Sequence, residues 1–144
     1  MMQLGARGLA LIKSFEKLVL VGYADEGGVP TAGWGHTGPD VAIGGVYTAD
    51  QAEAWIVADT ASAVAAVNHS LTAPVTQNQF DAMVVFAYNV GDNAEAHSTL
   101  VKLINAGHVQ AAADEFPKWD HVRGQVSPGL LRRDLAERDL FLAA

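Results

Sequence analysis

Glu16, Asp25 and Thr31, close together near the N-terminus, supply two carboxyls and a hydroxyl, the side-chain types that acid–base chemistry uses. Glu16 stands near the end of a stretch whose apolar residues recur at helical spacing. There the negative end of a helix dipole, together with burial, penalises a carboxylate and favours its protonated form. A carboxyl held protonated near neutral pH is what a general acid needs. Asp25 lies in a polar, glycine-flanked turn where ionisation stays easy. One carboxyl pushed towards neutral and another left charged is the division that glycoside hydrolysis asks for. On residue types alone, two acids at such a distance are usually just surface acids.

The elements that must hold these residues are mostly helical. Leu9, Ile12, Phe15 (or Glu16), Val19 and Leu20 predict an amphipathic helix from Gly8 to Val21. The texture then changes: Gly22 to Gly45 holds eight of the fourteen glycines and two of the five prolines, which predicts turns and short strands. It is the only stretch where a small sheet is expected. Thr48 with Gln51 is a capping box opening an Ala-rich helix to about His69, with Pro74 beyond it as a stop. Thr76 with Gln79 repeats that signature before a helix ended by Gly91. Its run Met83, Val84, Val85, Phe86, Ala87 leaves almost no polar face and predicts the most buried helix of the chain. Ser98 caps a short helix stopping at Gly107, and another covers about 108–116. Ser127 with Pro128 starts the last helix, to about Leu142.

Composition bounds the function. At 144 residues, half of them apolar, the chain fits one domain with a substantial core. Cysteine is absent, which excludes disulfides, thiol catalysis and Cys-ligated zinc. The net charge of −7 argues against nucleic acid as a partner. The best candidate for a membrane span, Gly8 to Gly22, is interrupted by Lys13, Glu16 and Lys17, and no signal-peptide pattern opens the chain. No stable membrane insertion is expected. Charge is also uneven: no Lys or Arg falls between Lys17 and Lys102, while Lys118, Arg123, Arg132, Arg133 and Arg138 cluster near the C-terminus. Either these are solvated helix faces, or the C-terminal segment folds back beside an acidic site and supplies its positive charge.

The run Phe15-Glu16, then Gly22-Tyr23-Ala24-Asp25, then Pro30-Thr31-Ala32-Gly33-Trp34-Gly35-His36-Thr37 resembles the phage-type lysozymes, glycoside hydrolase family 24. That family's active site is written Glu, eight residues, Asp, five residues, Thr, with a Thr-x-Gly-x-Gly-His tail. Here Glu16 and Asp25 enclose eight residues, and Asp25 and Thr31 enclose five. The resemblance continues through Asn89-Val90-Gly91, Ser98-Thr99-Leu100, Asn105-Ala106-Gly107, Phe116 with Trp119, and Gly129-Leu130 with Arg132-Arg133 and Glu137. It implies an α+β, mainly α-helical, lysozyme-like fold over residues 1–144. A small β lobe at about 22–47 and a helical bundle would enclose a cleft. It further implies a muramidase that cleaves the β-1,4 bond between N-acetylmuramic acid and N-acetylglucosamine. Glu16 would be the general acid, with Asp25 and Thr31 holding the attacking water on the opposite face, the inverting route. The partner would be bacterial peptidoglycan, with no metal and no organic cofactor. Gly33 and Gly35 then serve close packing or positive φ in a tight hairpin, not phosphate binding.

Thr37, Tyr88, Asn89, Thr99 and Trp119 are the substrate-binding candidates within these blocks, Trp119 being open between packing and sugar contact. Trp55 is expected to pack. His36 is expected to support the hairpin by bonding a carboxylate, and Arg132 or Arg133 to pair with Glu16 or the acidic lobe; the motif does not choose between the arginines. Five histidines without close paired spacing speak against a metal site. A monomeric endolysin is expected, waiting in the host cytoplasm and reaching the wall through a holin pore. The alternatives are a lytic transglycosylase, which needs no positioned water, and a catalytically inactive glycan-binding domain. Endolysins acting on an anionic wall are often basic, and this chain is acidic.

Overall fold

The computed structural model describes residues 1–119, 121–122 and 125–143, with the backbone alone at 121–122 and 125–126. The chain divides into two compact units, Ile12–Ala61 and Met1–Leu11 with Ser62–Ala144.

Helix α1 spans Ala6–Phe15 and stops six residues short of the expected Val21. Val19 and Leu20 continue its apolar period but belong to strand β1, Val19–Ala24. The stretch Leu18 to Val21 alternates Leu with β-branched Val, and Gly22 follows, so pairing with neighbouring strands outweighs the helical spacing. β1 pairs antiparallel with β2, Pro30–Gly33, and β2 with β3, His36–Thr37. Tyr23 lies opposite Thr31, and Thr31 opposite Thr37. The segment after β3 returns along the other side of β1. Gly22 N–H donates to the Gly45 carbonyl and Tyr47 N–H to the Leu20 carbonyl, both at 2.8 Å, while Val21 bridges Val46. A Cβ on Gly22 would lie 2.0 Å from the Ala42 carbonyl oxygen, so this return requires glycine.

Helix α2, Ala49–Ser70, opens with the expected capping box: Gln51 N–H donates to Thr48 Oγ1 at 3.1 Å, and Thr48 N–H to Gln51 Oε1 at 2.8 Å. Its Trp55 packs on Tyr47 and His36. The β-containing unit is thus larger than the 22–47 lobe expected. It takes in all of β1, the end of α1 and the first half of α2.

The other unit is built around α3, Gln77–Val90, with the expected Thr76–Gln79 capping box. Phe80 to Ala87 are all buried, and Phe80, Ala82, Met83, Val84, Phe86 and Ala87 share a core with Leu100, Phe116 and Phe141. Each such large apolar side chain contributes roughly 1.5–3 kcal/mol through removal from water. Asp81 is the polar exception in that run. Its carboxylate accepts from Gly5 N–H at 2.9 Å, Gly8 N–H at 3.1 Å and Gln77 Nε2 at 2.7 Å, satisfying amides that the first turn of α1 leaves unpaired. A Cβ on Gly8 would sit 2.8 Å from Asp81 Cβ, so Gly8 lets this cap approach.

After Gly91 come α4, Asp92–Ala96, which the sequence reading did not anticipate, and α5, Thr99–Asn105, capped by Ser98 as expected. α6 covers only Val109–Ala113, because a tighter 3-10 turn, Phe116–Trp119, forms around Pro117. β4, His121–Val122, and β5, Gln125–Val126, pair antiparallel, so the glycine-rich segment does not hold the only sheet. Two-residue strands carry no readable alternation. α7, Pro128–Leu142, starts at the expected Ser127 cap and packs against α3.

Candidate active site

Asp25 follows directly on β1, at the head of a turn that leads into β2. Its Oδ1 accepts from Gly27 N–H and from Val29 N–H, both at 2.8 Å, an arrangement that local aspartate turns favour. Gly28, at φ +79°, supplies the left-handed conformation that closes the turn. Thr31, buried within β2, donates its hydroxyl proton to the Val29 carbonyl at 2.9 Å. Asp25 and Thr31 are therefore both tethered to Val29. With its proton committed, Thr31 Oγ1 has lone pairs left to accept. Both amide bonds to Asp25 fall on Oδ1, so Oδ2 is the oxygen those bonds leave open.

Glu16 is the residue after α1, and its N–H reaches back to the Lys13 carbonyl at 3.3 Å. It is exposed, so the burial expected from the sequence is absent. The hairpin turn between β2 and β3 lies against its carboxyl. A Cβ on Gly35 would stand 3.2 Å from Glu16 Oε2, and Gly35 adopts φ +77°. Gly33 takes φ +67°, and a Cβ there would stand 3.0 Å from the Trp55 ring. Both glycines do what the sequence reading assigned them, close approach and positive φ together. Lys13, one turn before Glu16, forms an ion pair with Glu53 and lies 4.4 Å above the Trp34 ring. The sequence reading gave this lysine no role beyond interrupting an apolar run.

His36 supports the hairpin. Its Nδ1 meets Asp59 Oδ2 at 2.8 Å, its Nε2 meets Asp40 Oδ1 at 2.9 Å, and its ring stacks on Trp55 with centroids 4.5 Å apart. Burial alone would lower its pKa, but the hydrogen bonds and charges of Asp40 and Asp59 outweigh that and raise it. The histidine hydrogen bond holds the Asp40 carboxyl below its ordinary range. Thr37, next along β3, is exposed.

The remaining candidates belong to the helical unit. Tyr88 and Asn89 are half-buried near the end of α3, and Thr99 is exposed at the start of α5. Trp119 meets Phe86 edge-on at 5.0 Å and is half-buried, so packing uses one side of it. Asn89 Nδ2 donates to Glu137 Oε2 at 3.1 Å. Burial and the charge of Asp134 push the Glu137 carboxyl up to about 8, against the opposing pull of Asn89 and Arg133. Of the two arginines, Arg133 is thus the one beside Glu137, while Arg132 is exposed. Arg123 lies outside the described residues. Sequence reasoning quoted Glu137 within a motif but assigned it nothing. The acids at positions 134 and 137, spaced to share one face of a helix, were the signal that could have marked it.

The phage lysozyme family model matches residues 13–137. The chain is 46% identical over 145 residues to an endolysin of Bacillus phage PZA, covering 97% of this chain and 55% of that protein. It thus spans little more than half the length of that relative. Among solved structures, an endolysin from Escherichia coli O157:H7 phage FAHEc1 superposes with a TM-score of 0.92 at 42% identity, over 98% of this chain and 94% of that one. The muramidase domain of SpmX from Asticaccaulis excentricus gives 0.90 at 36% identity, over the whole of both chains. The match takes in the segment that carries Glu16, Asp25 and Thr31 as well as the helices that follow, and the chain belongs to the phage lysozyme family.

Proposed function

We propose that this chain is a peptidoglycan hydrolase that cleaves the β-1,4 bond between N-acetylmuramic acid and N-acetylglucosamine with inversion. The observation that carries this reading is the shared tether of Asp25 and Thr31 on Val29. A water accepted by Asp25 Oδ2 and Thr31 Oγ1 has both hydrogens engaged, so a lone pair is left to attack the anomeric carbon. Glu16 gives its proton to the leaving glycosidic oxygen as that bond breaks. The water forms the new carbon–oxygen bond and passes a proton to the Asp25 carboxylate, which also offsets the positive charge at the oxocarbenium-like centre. Bulk water then returns Glu16 to its acid form and takes the proton from Asp25.

Relatives named as endolysins and a muramidase domain support the same substrate class. A lytic transglycosylase has no use for two acceptors placed around a water, so the Val29 tether favours hydrolysis. We read residues 1–144 as one catalytic domain acting as a monomer on the bacterial wall, with Thr37, Tyr88, Asn89, Thr99 and Trp119 as glycan contacts. No helix among the described residues is long and apolar enough to cross a membrane. Release from the host cytoplasm through a holin pore fits that reading. Mass analysis of the fragments from purified peptidoglycan tests the function: each hydrolytic cleavage adds one water, its OH to the new reducing end and its H to the leaving oxygen. Anhydro ends, or no cleavage at all, would overturn it.

A further inference from the structure

Glu137 is 1% exposed, deep in α7, in a cluster that the catalytic steps above do not use. The charged or titratable groups acting on it are Asp134 and Arg133 from its own helix, and Asn89 meets it from α3. A buried acid normally costs stability unless something is gained from it. Here the gain is geometric. A side-chain amide can turn over, exchanging its donor and acceptor ends at little cost unless a partner distinguishes them. With its acid proton engaged in the hydrogen bond to Asp134, Glu137 presents Oε2 as an acceptor that can bond only the donor end, so Asn89 Nδ2 is held towards α7 and Oδ1 occupies the opposite branch. Asn89 itself is half-buried at the C-terminal end of α3.

We propose that Glu137 is a positioning residue for glycan binding: from within α7 it fixes the Asn89 amide so that Oδ1 accepts a donor group of the sugar. This rests on the reading of Asn89 as a glycan contact. The sugar group selected is an N–H or O–H donor, as an acetamido or hydroxyl group supplies. A carboxyl in its acid form does this without placing a negative charge behind the amide. Burial and Asp134 keep Glu137 in that form through neutral pH.

Steady-state kinetics of the whole chain on soluble peptidoglycan fragments test the proposal, with circular dichroism as the folding control. Glu137→Leu removes the acceptor and should raise KM about tenfold while kcat changes by less than about twofold, the pattern of lost binding. Glu137→Gln keeps an acceptor oxygen and should recover most of that loss. In an Asn89→Ala background, Glu137→Leu should add little, because both changes act through one amide. Should Glu137→Leu fail to fold, NMR of the Asn89 side-chain amide decides. Its protons should shift with a mildly alkaline midpoint in the unmutated chain and lose that response in Glu137→Gln. A folded Glu137→Leu variant with unchanged KM, full additivity with Asn89→Ala, or the same amide titration in both proteins would overturn the proposal. If the unmutated chain cleaved nothing, the functional reading itself would fail, a different result from an active enzyme indifferent to Glu137.

Discussion

Asp25 and Thr31 are fastened to opposite ends of one residue: the Val29 N–H donates to Asp25 Oδ1 at 2.8 Å, and the Val29 carbonyl accepts from Thr31 Oγ1 at 2.9 Å. The separation of the two groups proposed to hold the water is thereby tied to one backbone residue. Thr31→Val keeps the shape and removes the oxygen, leaving the water one acceptor short. Losing that hydrogen bond should cost about 1–3 kcal/mol in the transition state, an approximately 5- to 150-fold fall in kcat. Thr31→Ser should restore most of the rate. Reducing-end release checks both, and a Thr31→Val enzyme at full speed would remove threonine from the mechanism.

Gly35 tests how closely the hairpin must approach Glu16. Gly35→Ala places a methyl 3.2 Å from Glu16 Oε2 at a backbone φ of +77°. The left-handed conformation should cost about 1–2 kcal/mol of stability. Displacement of the carboxyl should lower kcat further, at temperatures where the variant remains folded. Denaturant melts paired with initial rates separate the two effects. Wild-type stability would show that the hairpin relaxes freely.

His36 gives stability a pH window. Its folded pKa is raised above 6.5, so its contribution is complete below that value and lost as pH rises through the folded pKa. The Asp40 pKa is lowered below 3.8, so its contribution is present above that value and lost as pH falls through the folded pKa. The difference in Tm between wild type and His36→Gln should therefore be greatest between pH 3.8 and 6.5 and shrink on either side. A difference that stays constant from pH 3 to pH 9 would contradict the ion-pair account.

Glu137 runs in the same direction as His36 and against Asp40. The folded chain keeps its proton to about pH 8, while the unfolded chain releases it near 4.5. Between those values the unfolded state binds fewer protons, so stability falls as pH rises, by at most about 1.4 kcal/mol per pH unit for one group. Glu137→Gln should close that gap, gaining on wild type progressively across the window. Urea midpoints at the two ends of the window measure it, and equal midpoints at both would deny the shifted acid.

Local structure was more legible in this sequence than the pairing around it. Gly33 and Gly35 stand out because a close approach at positive φ leaves little room for a side chain, and Glu16, Asp25 and Thr31 stand at the spacing on which the resemblance rests. The caps at Thr48, Thr76, Ser98 and Ser127 were legible for a similar reason, since each uses a local side-chain-to-backbone bond. Long-range pairing was not. Val19 and Leu20 fit a helical period as well as a strand, and only their partners near Gly33 and Tyr47 decide between them. Nothing local to Asp81 points to its partners Gly5 and Gly8, which lie more than seventy residues away. The Asp59 clamp on His36 and the Glu137 hold on Asn89 were hidden likewise. Glu16 was expected to be buried on the strength of helix position, yet a residue placed after the last turn is free to reach solvent.

The measurement that bears most directly on the central claim is reducing-end release from purified peptidoglycan by Glu16→Gln. Glutamine keeps the shape against Gly35 but has no proton to give the leaving oxygen. General acid catalysis contributes roughly 10²–10⁴-fold, so kcat should fall by about that factor in a protein whose circular dichroism and glycan binding match wild type. A folded Glu16→Gln variant that cleaves at the wild-type rate would contradict the mechanism.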